Sequence, residues 1–447
     1  MLSKIAKRLS GMQLIAGGFC IIIFIGAFLL MLPFATKSGE HTSFLTALFT
    51  SASATCVTGL IVADTFTHWT IFGQVVLLFL IQIGGLGFIT LGISVSMILR
   101  KKIGLSERGL LRESFNVIEL RGLVRLTKRI LIGTLLFELT GAVILSLCFI
   151  PKTGVAAGIY YGIFHSVSAF CNAGFDLMGK YSPFSSLTGY HSNPVVMITI
   201  MLLIIIGGIG FYVWNDLYEH RLKFRHYSLH TKIVLTATAA LLFCGAAAFY
   251  FMERNNQFAN MTQTEKLLNS MFCAVTPRTA GFNSIEVSDM TQAGKLLTIV
   301  LMFIGGGSGS TAGGVKVTSV VALFIYIKAN LTRSVGYNVF GRRIEDDALR
   351  KSSAIFCTNL TLATLSAIAI CALQNLNGID VLLEVFSAIG TVGMSAGLTT
   401  QLQTPALLIL ILLMYLGRVG SLSFAMSFTD KKKIAHIMQP AEKINVG

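Results

Sequence analysis

The feature that most constrains this chain is a succession of eight apolar runs, at about residues 12–32, 70–99, 130–150, 194–214, 231–252, 293–327, 353–373 and 405–427. Each is about 20 residues or longer, the length an α-helix needs to cross the ~30 Å hydrocarbon core of a bilayer. The runs do not alternate apolar and polar residues, so they do not read as the short strands of a transmembrane barrel. Charged residues make up 12% of the 447, about half the share usual in a soluble domain. The fold class that follows is an all-α membrane protein with eight spans.

Net charge is +15, which could suggest a nucleic-acid partner. Its distribution argues otherwise. If eight helices alternate, 26 of the 35 Lys and Arg fall on one side: in the N-terminus, three long loops and the C-terminus. Loop 100–129 alone carries nine. The positive-inside rule then puts both termini in the cytoplasm. Anionic lipid or a cytosolic partner are secondary readings of the same basic loops. The eight cysteines show no CxxC or metal spacing and read as small packed residues. The eight histidines are scattered, and no metal site is read from them. No constellation of nucleophile, base or metal ligands suggests an enzyme.

On the opposite side, a shorter semi-polar stretch separates the two runs of each pair. The four stretches align as SATCVTGL (53–60), SAFCNAGF (168–175), VTPRTAGF (275–282) and SAIGTVGM (387–394). Their glycines, Gly59, Gly174, Gly281 and Gly393, are 115, 107 and 112 residues apart. Each is followed by a run with its own glycine cluster, beginning at Gly84, Gly207, Gly305 and Gly417. A fixed period with two landmarks marks internal repetition. The units are 1–99, 100–218, 219–328 and 329–447, each a helix, a re-entrant segment and a second helix.

A stretch such as 42–55 is too short to span as a helix, but it can dip and return if it lines a cavity. Four half-helices aimed at one axis present the negative ends of their dipoles to a cation. The extended residues after them can offer rings of carbonyl oxygens, the logic of a K⁺ filter built on TVG. The candidate filter residues are Val57, Thr58 and Gly59; Asn172, Ala173 and Gly174; Thr279, Ala280 and Gly281; and Thr391, Val392 and Gly393. Pro277 and Arg278 stand where the other segments carry small or apolar residues. A distorted pore helix is therefore expected in the third unit.

Over its whole length the chain resembles the Trk/Ktr/HKT superfamily of K⁺-translocating subunits. The likeness rests on the four glycine segments, the glycine-broken sixth run and Arg418. Within that superfamily it looks most like the membrane subunit of bacterial Ktr systems. Plant relatives that prefer Na⁺ carry Ser at the first filter glycine; Gly59 stands there in this chain, which implies K⁺. The resemblance implies K⁺ at the filter carbonyls, stimulation by Na⁺, and no covalently bound cofactor. It also implies a homodimer with one pore per protomer in the cell membrane, and a cytosolic nucleotide-binding regulatory ring that carries ATP or ADP.

The sixth run holds IGGGSGSTAGGVKV, residues 304–317. As one helix, 293–327 would be about 52 Å long. Each glycine costs a helix about 1 kcal/mol relative to Ala, so Gly305, Gly306, Gly307, Ser308, Gly309, Ser310, Thr311, Ala312, Gly313 and Gly314 should melt the middle. A melted segment at membrane depth must face a cavity, and its place after a filter segment makes it a candidate gate. In the resembling family this region is an intramembrane loop that obstructs the pore. The clusters GGLG (84–87) and GGIG (207–210) read instead as packing faces, because the apolar pattern continues through them.

Arg418 has two readings: a positive gate element that repels K⁺, or a structural partner of Glu138, the one acid deep in a span. Lys316 either lines the gate or snorkels. Nine acids on the opposite side, Glu40, Asp64, Asp176, Glu253, Glu265, Glu286, Asp289, Asp380 and Glu384, could concentrate cations at a mouth. The function expected is potassium uptake through a gated pore. The alternative is a Na⁺/K⁺-coupled carrier with alternating access, whose repeats are commonly inverted.

Overall fold

The computed structural model describes residues 11–87, 90, 92, 123–221, 223–334 and 336–421. Most of the basic loop 100–129 and of the C-terminal basic stretch lies outside the described residues. Four long helices stand first in each unit: α1 (Gly11–Leu30), α4 (Leu123–Thr153), α8 (Leu229–Glu253) and α12 (Asp346–Leu373). All four are long and apolar enough to cross a membrane. Their large apolar side chains face outward. Ile21, Phe24, Ile25 and Phe28 of α1 and Leu135, Leu136 and Leu139 of α4 are exposed, the inverse of a soluble helix and the arrangement lipid requires.

A shorter helix follows each long one: α2 (Phe44–Thr55), α5 (Val155–Phe170), α9 (Gln263–Val275) and α13 (Gly378–Gly390). At 12 to 16 residues these reach about 18–24 Å, too short to span. They form the centre of the molecule, and in α2 every residue from Phe49 to Thr55 is buried. Three of their starts are set by side-chain caps. Ser43 accepts from the Thr46 N–H, Thr262 and Glu265 form a capping box, and Asn377 accepts from Ile379 N–H.

The third helix of each unit is cut short at its end, and in the first three units it is capped at its start. Thr70 caps α3 (Ile71–Leu86), Asn193 caps α6 (Pro194–Gly208) and Thr291 caps α10 (Gln292–Phe303). The last of these helices, α14 (Thr404–Val419), carries Pro405 in its first turn, where a missing N–H costs nothing. Helices α3 and α14 stop at Gly87 and Gly420, with φ of +80° and +95°. Helix α6 stops before Gly210, φ +104°, and the chain turns by 93° into α7 (Phe211–His220).

The unbroken run expected over 194–214 is therefore corrected: it breaks, as do all the second apolar runs among the described residues. The apolar pattern masks this, because Ile204–Ile206 continue to Gly207 with no polar punctuation. In the third unit a second helix, α11 (Val317–Leu331), continues the run after the non-helical stretch 304–316.

The packing roles of GGLG and GGIG hold. A Cβ added at Gly84 or Gly207 would strike the carbonyl oxygen of Thr55 or Phe170. Gly417 stands in the same way against Ile389. In each case a broken helix lies directly against the backbone at the end of its unit's half-helix, four residues before the aligned glycine.

Candidate functional site

The four aligned glycines meet. A Cβ added at Gly59 would stand 3.2 Å from the Cα of Gly174; at Gly174, 3.1 Å from that of Gly281; at Gly281, 3.2 Å from that of Gly393; and at Gly393, 2.9 Å from that of Gly59. The order closes on itself. Each glycine also abuts the carbonyl oxygen of the residue before its neighbour: Ala173, Ala280, Val392 and Thr58 in turn. The four have φ between +71° and +95°, a region that residues with a Cβ resist.

Two residues earlier, Val57, Asn172, Thr279 and Thr391 also have positive φ, between +52° and +72°. For a β-branched residue this is a strained conformation that the surroundings must impose. Alternating the sign of φ turns successive peptide planes so that neighbouring carbonyls can face the same side. All twelve candidate residues thus come together, and their side chains are buried.

The recurrent Ser, six residues before three of the glycines, has a physical role. The carbonyls of Ser53, Ser168 and Ser387 accept from the N–H of Thr58, Ala173 and Val392, all at 2.8 Å. The hydroxyls of Ser53 and Ser387 also accept from the N–H of Gly59 and Gly393 at 3.0 Å. The third unit has Val275 in that place and differs. There the Thr276 carbonyl accepts from Ala280 (3.0 Å) and Gly281 (3.4 Å), and its hydroxyl donates to the Phe282 carbonyl at 2.6 Å. Pro277 and Arg278 accompany a different hydrogen-bond scheme, yet Gly281 keeps its place in the ring. Thr279 and Asn172 join across units, their side chains 3.1 Å apart. The amide orientation that also satisfies the carbonyls of Ile204 and Ala169 has the Thr279 hydroxyl donating to the Asn172 oxygen.

Directly beside the ring lies the glycine-rich stretch. Its root is paired: Gly305 N–H donates to Val315 O at 2.8 Å and Val317 N–H to Gly306 O at 3.0 Å. Its tip is held by other units. Gly307 N–H donates to Gly208 O (2.8 Å), Thr311 N–H to Gly207 O (3.3 Å), and Gly314 N–H to Gly417 O (3.3 Å). The Thr311 hydroxyl reaches the Phe170 carbonyl at 3.2 Å. A Cβ at Gly313 would run into the side chain of Thr391. The loop therefore sits against the same residues that lead into the glycine ring. On its other face is a cavity of about 330 Å³, lined by residues that include Ser308, Lys316, Asn359 and Arg418.

Arg418 points at this loop. Its guanidinium donates to the carbonyls of Thr311, Gly84 and Gly85. The Lys316 ammonium donates to Ala312 O (2.6 Å) and Gly313 O (3.1 Å), so it lines the loop rather than snorkelling. The pairing of Arg418 with Glu138 is corrected. The Glu138 carboxylate accepts from Gln82 Nε2 at 3.2 Å and faces the Cys171 thiol, while Arg418 is occupied by backbone carbonyls. Such partners leave no mark in a sequence, since every residue has a carbonyl.

The acids on the far side of the ring are also corrected in part. Glu384 lies inside α13, 1% exposed, where it accepts from Ser395 and Thr399. Glu253 is fully buried and accepts from the N–H and hydroxyl of Thr291. Asp380 pairs with Lys295 at 2.9 Å. Asp64 accepts from the N–H groups of Phe66, Thr67 and Phe184. These four hold loops and helix ends. Asp176, two residues past Gly174, is pushed up to about 7 by burial, with the Asp64 charge adding to the rise against the Met178 N–H bond. Glu286 is raised by burial and by Asp289.

Half-helices converging on a glycine-lined backbone, inside a jacket of lipid-facing helices, define a multi-pass membrane protein suited to passing cations. The chain belongs to the TrkH family of cation transport proteins, whose model matches residues 10–437. It is 43% identical over 455 residues to the potassium/sodium uptake protein NtpJ of Enterococcus hirae, covering 100% of this chain and 99% of that one. It is 40% identical to the Ktr system potassium uptake protein B of Bacillus subtilis, covering 98% and 97%. The protein of the same name from Vibrio alginolyticus is 36% identical, covering 92% and 90%. The fold matches the crystal structure of the potassium transporter TrkH from Vibrio parahaemolyticus with a TM-score of 0.70 at 17% identity, over 93% of this chain and 85% of that one.

Proposed function

We propose that the chain is the membrane subunit of a potassium uptake system, with K⁺ passing through the ring of Gly59, Gly174, Gly281 and Gly393. The closed ring of the four glycines carries this reading. Carbonyls that converge there can replace the ion's hydration shell, and the C-terminal dipoles of α2, α5, α9 and α13 favour positive charge. Four units, 1–99, 100–218, 219–328 and 329–447, surround the ring, each with two spans, making eight. Both termini face the cytoplasm, by the distribution of Lys and Arg.

The loop 304–317 is the gate. Its position between the ring and the 330 Å³ cavity supports this, as do Arg418 and Lys316, which bring positive charge to the path. The protein works as a homodimer, with a cytosolic nucleotide-binding ring as regulatory partner; the Ktr system relatives favour such a multi-component arrangement. ATP or ADP binds that partner. Na⁺ is a second ion of the system, a reading supported by the relative named for potassium/sodium uptake. All four units begin on the same side, which favours a pore over an alternating-access carrier built of inverted repeats.

The test is ion flux in liposomes holding the purified protein, with K⁺ and Na⁺ varied and the regulatory subunit present or absent. Flux that prefers K⁺ and depends on the partner is expected. Flux that does not distinguish the two ions would overturn the filter.

A further inference from the structure

Arg278 stands three residues before Gly281, where the other units have Cys56, Cys171 and Gly390. It is 7% exposed, and none of the ion pairs among the described residues includes it. A buried cation without a carboxylate must be stabilised by dipoles. One terminal nitrogen of its guanidinium donates to the carbonyl of Gly305 (3.4 Å) and to the hydroxyl of Thr238 on α8 (3.3 Å). The C-terminal end of α9, at Val275, adds partial negative charge close by.

The choice of Gly305 matters. Three cations reach carbonyls of the glycine-rich loop, at different places. Arg418 takes Thr311, and Lys316 takes Ala312 and Gly313; these are at the tip. Arg278 takes Gly305 at the root, where the loop is paired with Val315. It is also the cation carried by a glycine segment itself. Gly305 lies against that segment a second time, since a Cβ there would stand 3.5 Å from the Thr279 methyl. Root, guanidinium and the strained Thr279–Gly281 backbone form one contact.

We propose that Arg278 is a positioning residue that ties the root of loop 304–317 to the third quarter of the glycine ring, so that displacement of the loop is transmitted to the ring. The proposal rests on the filter-and-gate reading above. When the tip moves, the root stays anchored and the pull falls on the Thr279–Gly281 backbone. Without the anchor, the root loosens and the third quarter loses a support that its Thr276-based hydrogen bonds do not replace.

The test compares Arg278→Met and Arg278→Lys in full-length protein in liposomes, measuring K⁺ flux without the regulatory partner and the K⁺-over-Na⁺ preference. Arg278→Met is expected to raise partner-independent flux about tenfold and to lower the K⁺ preference severalfold. Arg278→Lys keeps a charged donor of nearly the same reach and should restore most of both. A folded Met variant with unchanged flux, partner dependence and preference overturns the proposal. If Met does not fold, Arg278→Gln, whose uncharged amide ends well short of the guanidinium's reach, takes its place with the same expectations. If no uncharged variant folds while Lys behaves as wild type, the side chain is purely structural and the proposal falls. A deletion of 309–313 made in parallel separates the two ideas. If the deletion leaves flux unchanged, the gate reading fails; if it opens the pore and Arg278→Met does not, only this inference fails.

Discussion

The first, second and fourth units build their quarter of the ring in one way, and the third builds it in another. In the three, a Ser six residues before the glycine takes the backbone N–H that precedes it, at 2.8 Å each. In the third, Val275 occupies that position, Thr276 takes over, and Arg278 reaches the loop. The glycine φ values are nonetheless alike, +93°, +71° and +95° against +79°. The ring geometry is the constrained quantity, and its scaffold is free to vary. The irregular scaffold occurs in the same unit whose second helix is interrupted by the glycine-rich loop. Asymmetry is thus concentrated where a gate needs it, and the other quarters repeat.

Deleting Gly309–Gly313 should have the largest effect. It removes the tip without touching the ring, so K⁺ flux should become high and largely independent of the partner, with K⁺ preference kept. It also strips the half-buried Lys316 and Arg418 of loop carbonyls, so a lower yield of folded protein is expected alongside. A folded deletion whose flux is no higher than wild type would leave the third unit's irregularity with no link to gating.

Arg418→Gln comes next. The guanidinium's hydrogen bond to Thr311 is charge-assisted, worth about 1.5–3 kcal/mol, so losing it should shift the closed-to-open balance by tenfold or more. Partner-independent flux in liposomes would read this. Lower yield with no gain in flux would instead make Arg418 a structural tie among α3, α14 and the loop.

The Ser positions sharpen the contrast further. Ser387→Ala should leave the Gly393 N–H unsatisfied at a cost of about 1–3 kcal/mol, seen as a lower Tm in detergent. The Ser168 hydroxyl has no hydrogen-bond partner among the described residues, so Ser168→Ala should change Tm little. Equal shifts would contradict the assigned hydrogen bonds.

Asp176 is read through pH rather than through flux. Its folded pKa is raised from 3.8 to about 7, so between those values the folded protein holds a proton that the unfolded chain has lost. Stability should fall as pH rises from about 4 to 7 and level off above that, by linkage. In Asp176→Asn that component of the slope should vanish, measured as Tm against pH.

Much of this was legible in the sequence. The four glycines and their period announced the repeat, and the composition of 304–317 announced a break that lies at Ile304–Lys316. The break in α6 was not legible, because the apolar residues run straight into Gly207. Arg418's partners were hidden for another reason: they are carbonyls, which every residue carries. Glu253 and Glu384 look like surface acids in the sequence, and only the fold turns them inward onto Thr291, Ser395 and Thr399. Arg278 read only as a disturbance of its half-helix, since nothing in the chain marks Gly305 as its acceptor.

If the glycine ring selects the ion, Gly59→Ser is the substitution that must change the choice. At φ +93° a side chain is strained by about 1–3 kcal/mol, and its Cβ would strike the Ala173 carbonyl. The measurement is the ratio of K⁺ to Na⁺ flux into liposomes for the folded variant and for wild type. A ratio lower by about tenfold, equivalent to ~1.4 kcal/mol of discrimination, is expected. An unchanged ratio in a folded Gly59→Ser protein would contradict it.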